Sequence, residues 1–201
     1  MNEYFAKEAG LTDDLLGLGH AFEIDPAIPE SFRLELAHAL LARTLFPRAP
    51  LKWMPPTKHM TGDVFRGYLL DGFFNLAGAL TGQGILLVGM MTEAVVTPWL
   101  SDRDLALRNV RYVLDACGGL AEDFRPPPGG FVERRAQQVL AEAVELLERI
   151  VDEGLLTAIG DGTFGLMRRP ADAGKGLDGV VAKAAGYLNP ATDLLTEGAT
   201  R

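Results

Sequence analysis

Cysteine is almost absent from this chain: Cys117 stands alone among 201 residues. That excludes an internal disulfide framework and a cysteine zinc cage, and it suits a reducing compartment. Basic residues are in deficit, 19 Lys and Arg against 27 Asp and Glu, for a formal charge of −8. No run of Lys and Arg breaks the trend. This argues against a nucleic-acid partner, whose binding surface would be basic. Long apolar runs are also missing. The longest, Ile85 to Met91, is far too short to cross a bilayer, and the charged amino terminus, Met1 to Glu8, has no apolar signal core. The expectation is a soluble cytoplasmic protein with neither nucleic acid nor membrane among its partners.

Apolar residues make up 48% of the chain, enough for a real core in one domain, or in one domain with an appendage. Two stretches organise it. Leu51-Lys52-Trp53-Met54 stops at the double proline Pro55-Pro56, and Thr57, Lys58, His59, Met60, Thr61 and Gly62 follow. Ile85 to Met91 is a second apolar run, followed at once by Thr92, Glu93, Thr97, Trp99, Asp102 and Arg103. Each run is short enough for a strand and is followed by a helix-like segment. This is the layout of βα units, in which chemistry gathers just past the carboxyl ends of the strands.

The periodicity predicts helices around these units. Asn2 to Ala9 reads as a short amphipathic helix ended by Gly10. The stretch from Leu15 to Pro26 reads as a loop or short helix leading to a turn at Asp25-Pro26. Ser31 is the expected N-cap of a helix whose stripe is Phe32, Leu36, Leu40, Leu41 and Leu45, stopped by Pro47 and Pro50. A longer helix is expected from about Asp63 to Leu80, with Val64, Phe65, Tyr68, Leu69, Phe73, Leu76 and Leu80 covering most of one side. Its Gly67, Gly72 and Gly78 cost helix propensity but permit close approach of a neighbour. Ser101 is the expected cap of the next helix, with Asp104 completing a capping-box variant and Leu105, Val110, Val113 and Leu114 as its buried stripe. Right-handed crossovers would make the two strands parallel neighbours.

Pro126-Pro127-Pro128-Gly129-Gly130 marks the clearest boundary. Beyond it, Val132 to Glu153 has a broad apolar face of Ala136, Val139, Leu140, Ala143, Val144, Leu147, Ile150 and Val151, with Gly154 as its C′ residue. The expected division is therefore 1–125, two βα units of an α/β barrel wall, and 126–201, a helical extension with a glycine-rich tail. Two units cannot close a (β/α)₈ barrel, which takes about 250 residues. Left as a sheet they would have unpaired edges and poorly covered faces. The fold class expected is a partial TIM barrel followed by a helical extension. A free monomer of it would expose much of its apolar surface.

Lys58 stands where a barrel mouth carries an anion-binding group, a point charge for carboxylate or phosphate. A solvated loop lysine explains its position equally well, and the stiff double proline beside it favours function. His59 is either a ligand or proton donor or an ordinary loop histidine. Glu93 follows the second strand as Lys58 follows the first, facing it across the rim or serving only the helix N-terminus. Asp102 and Arg103 read as helix capping and a surface pair. His20 and Glu23 lie three residues apart with no third ligand nearby, so no metal is expected. Gly174-Lys175-Gly176 lacks P-loop spacing and a preceding strand. No Ser-His-Asp set assembles.

Several runs carry a family resemblance: Asn2 to Lys7, Gly17 to Glu23, Ala49 to Lys58, Gly89 to Ala94, Thr97-Pro98, Ser101 to Arg103 and Gly174 to Val181. They resemble the alpha subunit of the lysine 5,6-aminomutase family, nearly end to end. The resemblance implies an isomerase that moves the terminal amino group of D-lysine or L-β-lysine to the adjacent carbon. It implies adenosylcobalamin to generate a radical and pyridoxal 5′-phosphate to carry the migrating nitrogen. It implies a TIM-barrel alpha subunit and a smaller cobalamin-binding beta subunit as partner. Carried over by position, Lys58 in Pro-Pro-Thr-Lys resembles the group that pairs with the substrate carboxylate, and His59 and Glu93 lie on the matching rim loops. The family's alpha subunit is more than twice this length. The expectation is a carboxyl-terminal portion that needs the missing amino-terminal part of the barrel and is inactive alone. The competing expectation is a non-catalytic interaction module derived from a barrel fragment.

Overall fold

The computed structural model describes residues 2–17, 19, 24–55, 57–93, 95–123 and 125–164. The expectations for His20 with Glu23 and for Gly174-Lys175-Gly176 fall outside them. The described chain is mostly helical, with one small parallel sheet. In order it runs α1 (Asn2–Glu8), a 3₁₀ turn (Asp13–Leu15), α2 (Ser31–Leu45), β1 (Lys52–Trp53), α3 (Val64–Thr81), β2 (Ile85–Leu86), α4 (Leu100–Ala116), α5 (Leu120–Asp123), α6 (Phe131–Glu153) and α7 (Leu155–Gly160). It divides into two compact units, Met1–Ala143 and Val144–Arg201, and the division falls inside α6.

The two ribbons are parallel, with Lys52 opposite Ile85 and Trp53 opposite Leu86. Ile85 N–H donates to the Leu51 carbonyl at 3.0 Å and Leu87 N–H to the Trp53 carbonyl at 2.9 Å. Each strand is two residues long, much shorter than the apolar runs suggest. Pro55 has no N–H to continue the ladder. A parallel bridge from Gly19 to Lys52 sets a further extended position on the other side of β1. The sheet order is thus Gly19, β1, β2, one position more than the two units read from the sequence, with α2 and α3 as connections.

Helix ends explain where these connections stop. Asp63 caps α3, its carboxylate accepting from the N–H groups of Phe65 and Arg66 at 3.1 Å each. Gly82, at φ +65°, ends the same helix. The expected cap at Ser31 is one residue out. Glu30 holds the cap position with a left-handed φ of 61° and no side-chain cap, its carboxylate pairing with Arg33 instead. Ser31 is the first helical residue and is buried. Arg43, in the last turn of α2, gathers the carbonyls of Ala49 at 2.9 Å and Gly82 at 2.7 Å, tying the carboxyl ends of α2 and α3 together.

The core sits where α2 and α3 cover the strands. Ile24, Ala39, Trp53, Met60, Leu70 and Phe74 form one cluster, and the Trp53 and Phe74 rings stack at 6.3 Å. Truncating either ring to alanine would cost about 3–5 kcal/mol. The buried indole Nε1–H of Trp53 donates to Glu35 Oε1 at 2.8 Å, so that polar atom is satisfied in the core. α3 lies close enough to the β2 chain that side chains at two of its glycines have no room. A Cβ at Gly67 would lie 2.7 Å from the Met91 carbonyl oxygen, and one at Gly78 would strike the Leu86 side chain.

Two stripes differ from expectation. On α3 the packed side is Gly67, Leu70, Asp71, Phe74, Asn75, Ala77, Gly78 and Thr81, while Phe65 is 85% exposed and Leu69 and Phe73 are also exposed. On α4 the buried residues are Asp102, Ala106 and Asn109; Val110 and Val113 are half-buried, and Leu105 and Leu114 are exposed. The reason is a polar lock. Asn109 Nδ2 donates to the Tyr68 carbonyl at 2.9 Å and its Oδ1 accepts from Asn75 Nδ2 at 3.0 Å. This contact sets the rotation of α4 against α3. The apolar faces outside these contacts stand uncovered among the described residues, including Leu140, Val144, Leu147 and Val151 on α6.

Candidate functional site

Parallel pairing sends the loops after β1 and β2 out of the same end of the sheet. The first is built on a tight turn. Met60 N–H closes onto the Thr57 carbonyl at 3.2 Å, so Lys58 and His59 occupy its two central positions. Met60 is buried in the core cluster and anchors the turn. The Lys58 side chain is exposed, and no carboxylate among the described residues pairs with it. His59 leans toward the loop before α2, with Nδ1 3.8 Å from Asp25 Oδ1, beyond hydrogen-bond range. Asp25 itself accepts from Ala27 N–H at 2.9 Å.

The second loop repeats the construction. Glu93 N–H closes onto the Met90 carbonyl at 2.9 Å, and Glu93 Oε2 accepts from Met90 N–H at a long 3.3 Å. Met91, between them, is buried against Gly67 of α3. Past Glu93 the loop is pinned to α4. Asp102 Oδ2 accepts from the Thr92 hydroxyl at 2.7 Å and from Trp99 N–H at 3.0 Å. The Thr92 hydroxyl and then the Trp99 N–H hold the Asp102 carboxyl below its usual range. The cap at this helix is therefore Trp99 with Asp102, not the expected Ser101 with Asp104; Asp104 pairs with Arg108 at 2.9 Å. Asp102 does cap the helix, as read from the sequence, whereas Arg103 pairs with no carboxylate among the described residues.

A carboxyl that sequence reasoning passed over lies behind these turns. Asp71, on the packed side of α3, is 3% exposed, and its Oδ1 has no hydrogen-bond partner among the described residues. It occupies the space where a side chain at Gly89 would point, and a Cβ there would also lie 2.7 Å from Pro55 Cβ. Gly89 thus admits the Asp71 carboxyl between the two strand ends. Burial pushes Asp71 up to about 7, and the negative charge of Glu93 adds to the effect. The signal that could have found it is a lone acid among Leu69, Leu70, Phe73 and Phe74.

The arrangement offers a free cation on one turn, an anion on the next and a buried carboxyl behind. Such a rim suits a small zwitterion carrying both a carboxylate and an ammonium. No group of three or more His, Cys, Asp or Glu able to hold a metal occurs among the described residues. No described helix is long and apolar enough to cross a membrane.

Residues 1–194 match the family described as the D-lysine 5,6-aminomutase TIM-barrel domain of alpha subunit. The chain is 48% identical over 198 residues to the lysine 5,6-aminomutase alpha subunit of Fusobacterium nucleatum, covering 98% of this chain and 38% of that protein. It is 46% identical over 195 residues to the lysine 5,6-aminomutase alpha subunit of Acetoanaerobium sticklandii, covering 97% of this chain and again 38% of the relative.

Proposed function

The chain belongs to the family of the TIM-barrel domain of the D-lysine 5,6-aminomutase alpha subunit, and from that premise we propose that it supplies the substrate rim of such an enzyme. It spans 38% of the length of the curated relatives it matches, so the activity belongs to a larger assembly. On this reading residues 1–125 are the last part of a barrel wall and 126–201 a helical extension. The remaining barrel portion and a cobalamin-binding beta subunit are the partners. The complete complex isomerises D-lysine or L-β-lysine in the cytoplasm by radical amino migration, and the isolated chain does not turn over.

The observation that carries the proposal is the exposed Lys58 ammonium, unpaired among the described residues, on a turn at the carboxyl end of a parallel strand. There it pairs with the substrate carboxylate as a point charge. His59 and Glu93 line the same rim, Glu93 on the ammonium side. The cofactors implied are adenosylcobalamin, which supplies a radical, and pyridoxal 5′-phosphate, which carries the migrating nitrogen. Of what a phosphate ester needs, the two rim turns offer Lys58 among the described residues, and the Glu93 carboxylate opposes a second anion. The rim turns are assigned to the substrate, and no residue of this chain is assigned to either cofactor.

In the completed complex, Lys58→Ala should raise KM for lysine by about 10- to 100-fold, the effect of losing a hydrogen bond to a charged group. kcat should change much less. An unchanged KM would remove Lys58 from the site. A second reading, a non-catalytic interaction module, is favoured by the uncovered apolar faces of α3 and α6. It requires stable binding of the partners without turnover.

A further inference from the structure

The Asp71 carboxyl does nothing for the fold as described: it is buried, its Oδ1 is unbonded among the described residues, and it lies in a gap that Gly89 leaves open between two strand ends. A carboxylate in that position is costly unless it is neutral or faces a cation. Among the described residues no cation pairs with it: Lys52 of β1 lies against Gly19, and on α2 Arg33 pairs with Glu30, Arg43 binds the Ala49 and Gly82 carbonyls and His38 stands edge-on to Trp53. The β1 end contributes Pro55 and the β2 end Gly89, neither of which titrates. α4 meets α3 through the neutral pair Asn75 and Asn109. The acid of α2, Glu35, is bonded to Trp53. On the β1 turn Lys58 is exposed and His59 lies toward Asp25. Glu93, on the following loop, is the charged group that acts on it.

Resting on the substrate-rim reading above, we propose that Asp71 is a positioning residue behind Glu93, and that a ligand ammonium pairing with Glu93 is taken up together with release of the Asp71 proton. Glu93 Oε2 lies on the Met90 N–H and the Asp71 carboxyl against neighbouring Gly89, and two carboxyls at one stretch of backbone, one of them buried, do not both ionise readily. With the rim empty and below about pH 7, the buried member holds the proton. Burial is the larger cause that holds this proton and Glu93 the smaller; an ammonium against Glu93 cancels the smaller one and adds its own attraction for the Asp71 carboxylate. The Asp71 O–H bond then breaks, the proton passes to solvent and the carboxylate remains. Asp71 thereby adds a second negative charge behind the first only when a cation is present. A neutral amino-acid analogue would not trigger it.

The test is calorimetric titration of the complete alpha subunit, this chain with its upstream portion, with D-lysine near pH 7. Buffers of different ionisation enthalpy report proton release. Norleucine and 6-aminohexanoate, each lacking one of the two amines, serve as probes of which amine is read. The native protein should release up to about half a proton more per lysine than Asp71→Asn, since near pH 7 the carboxyl is about half protonated before binding. One of the two analogues should release none. Glu93→Gln should also abolish the release while weakening lysine binding, and it serves if Asp71→Asn does not fold. Equal proton release in native protein and Asp71→Asn, or undiminished release in Glu93→Gln, overturns the proposal. Lysine binding insensitive to Lys58→Ala would instead overturn the substrate-rim reading beneath it.

Discussion

Asp71 carries a stability consequence independent of any ligand. Its carboxyl is raised from an ordinary 3.8 to about 7, so between those values the folded state holds a proton that the unfolded state has lost. The stabilisation is complete below about pH 4 and disappears as pH rises through about 7. At about 1.4 kcal/mol per pH unit, the loss is bounded at roughly 4 kcal/mol. Asp71→Asn removes the titration. In the completed subunit, the variant's melting temperature relative to native should therefore rise between pH 5 and pH 8. A difference that does not vary with pH would contradict the assignment. Gly89 belongs to the same argument: Gly89→Ala puts a methyl where the carboxyl lies and should destabilise the protein by about 1–3 kcal/mol. Lys58 and Glu93 could be picked from the sequence because their place after an apolar run is a one-dimensional property. Asp71 could not be ranked that way, since its importance comes from meeting Gly89 and Glu93, some twenty residues away, in space.

At the scale of elements, each rim turn is fixed by a buried methionine, the closing residue Met60 in the first and the central residue Met91 in the second. Met60 is seated in the core and Met91 against Gly67. Gly67→Ala should gain about 1 kcal/mol of helix propensity. It should lose more, because the atoms it meets, the Met91 carbonyl oxygen and Cα, are backbone and cannot rotate away. The net expectation is a lower melting temperature together with weaker lysine binding, since the displaced turn carries Glu93. A variant as stable as native with native affinity would show the contact to be slack. The elements legible in the sequence were those with a local cause: Gly10 and Gly154 beyond helix ends, and the proline linker before α6. The glycines of α3 rightly announced a close neighbour. What was not legible depends on partners. Leu105 and Leu114 look like a buried stripe, yet the Asn75–Asn109–Tyr68 lock turns α4 so that Ala106 and Asn109 face α3. Ser101 looks like a cap, yet Asp102, one residue on, binds both Trp99 N–H and Thr92.

For the whole molecule, the central claim is that these parallel ribbons and their rim turns are one sector of a larger catalytic assembly. Exposed Phe65, Leu69, Leu100 and Val151, with strands of two residues each, are the physical signs of surfaces built to be covered. Arithmetic on the sequence leads to the same expectation, since two βα units cannot close on themselves. It missed the extra strand position at Gly19, because a run broken by Gly17 and Gly19 has no strand pattern. The most direct test mixes this chain with the remaining portion of the alpha subunit and with the beta subunit, in all combinations. Rearrangement of lysine is then measured with and without adenosylcobalamin and pyridoxal 5′-phosphate. The account predicts turnover only when all three polypeptides and both cofactors are present. Turnover by this chain alone, or a stable three-part complex that leaves lysine unchanged, would contradict it.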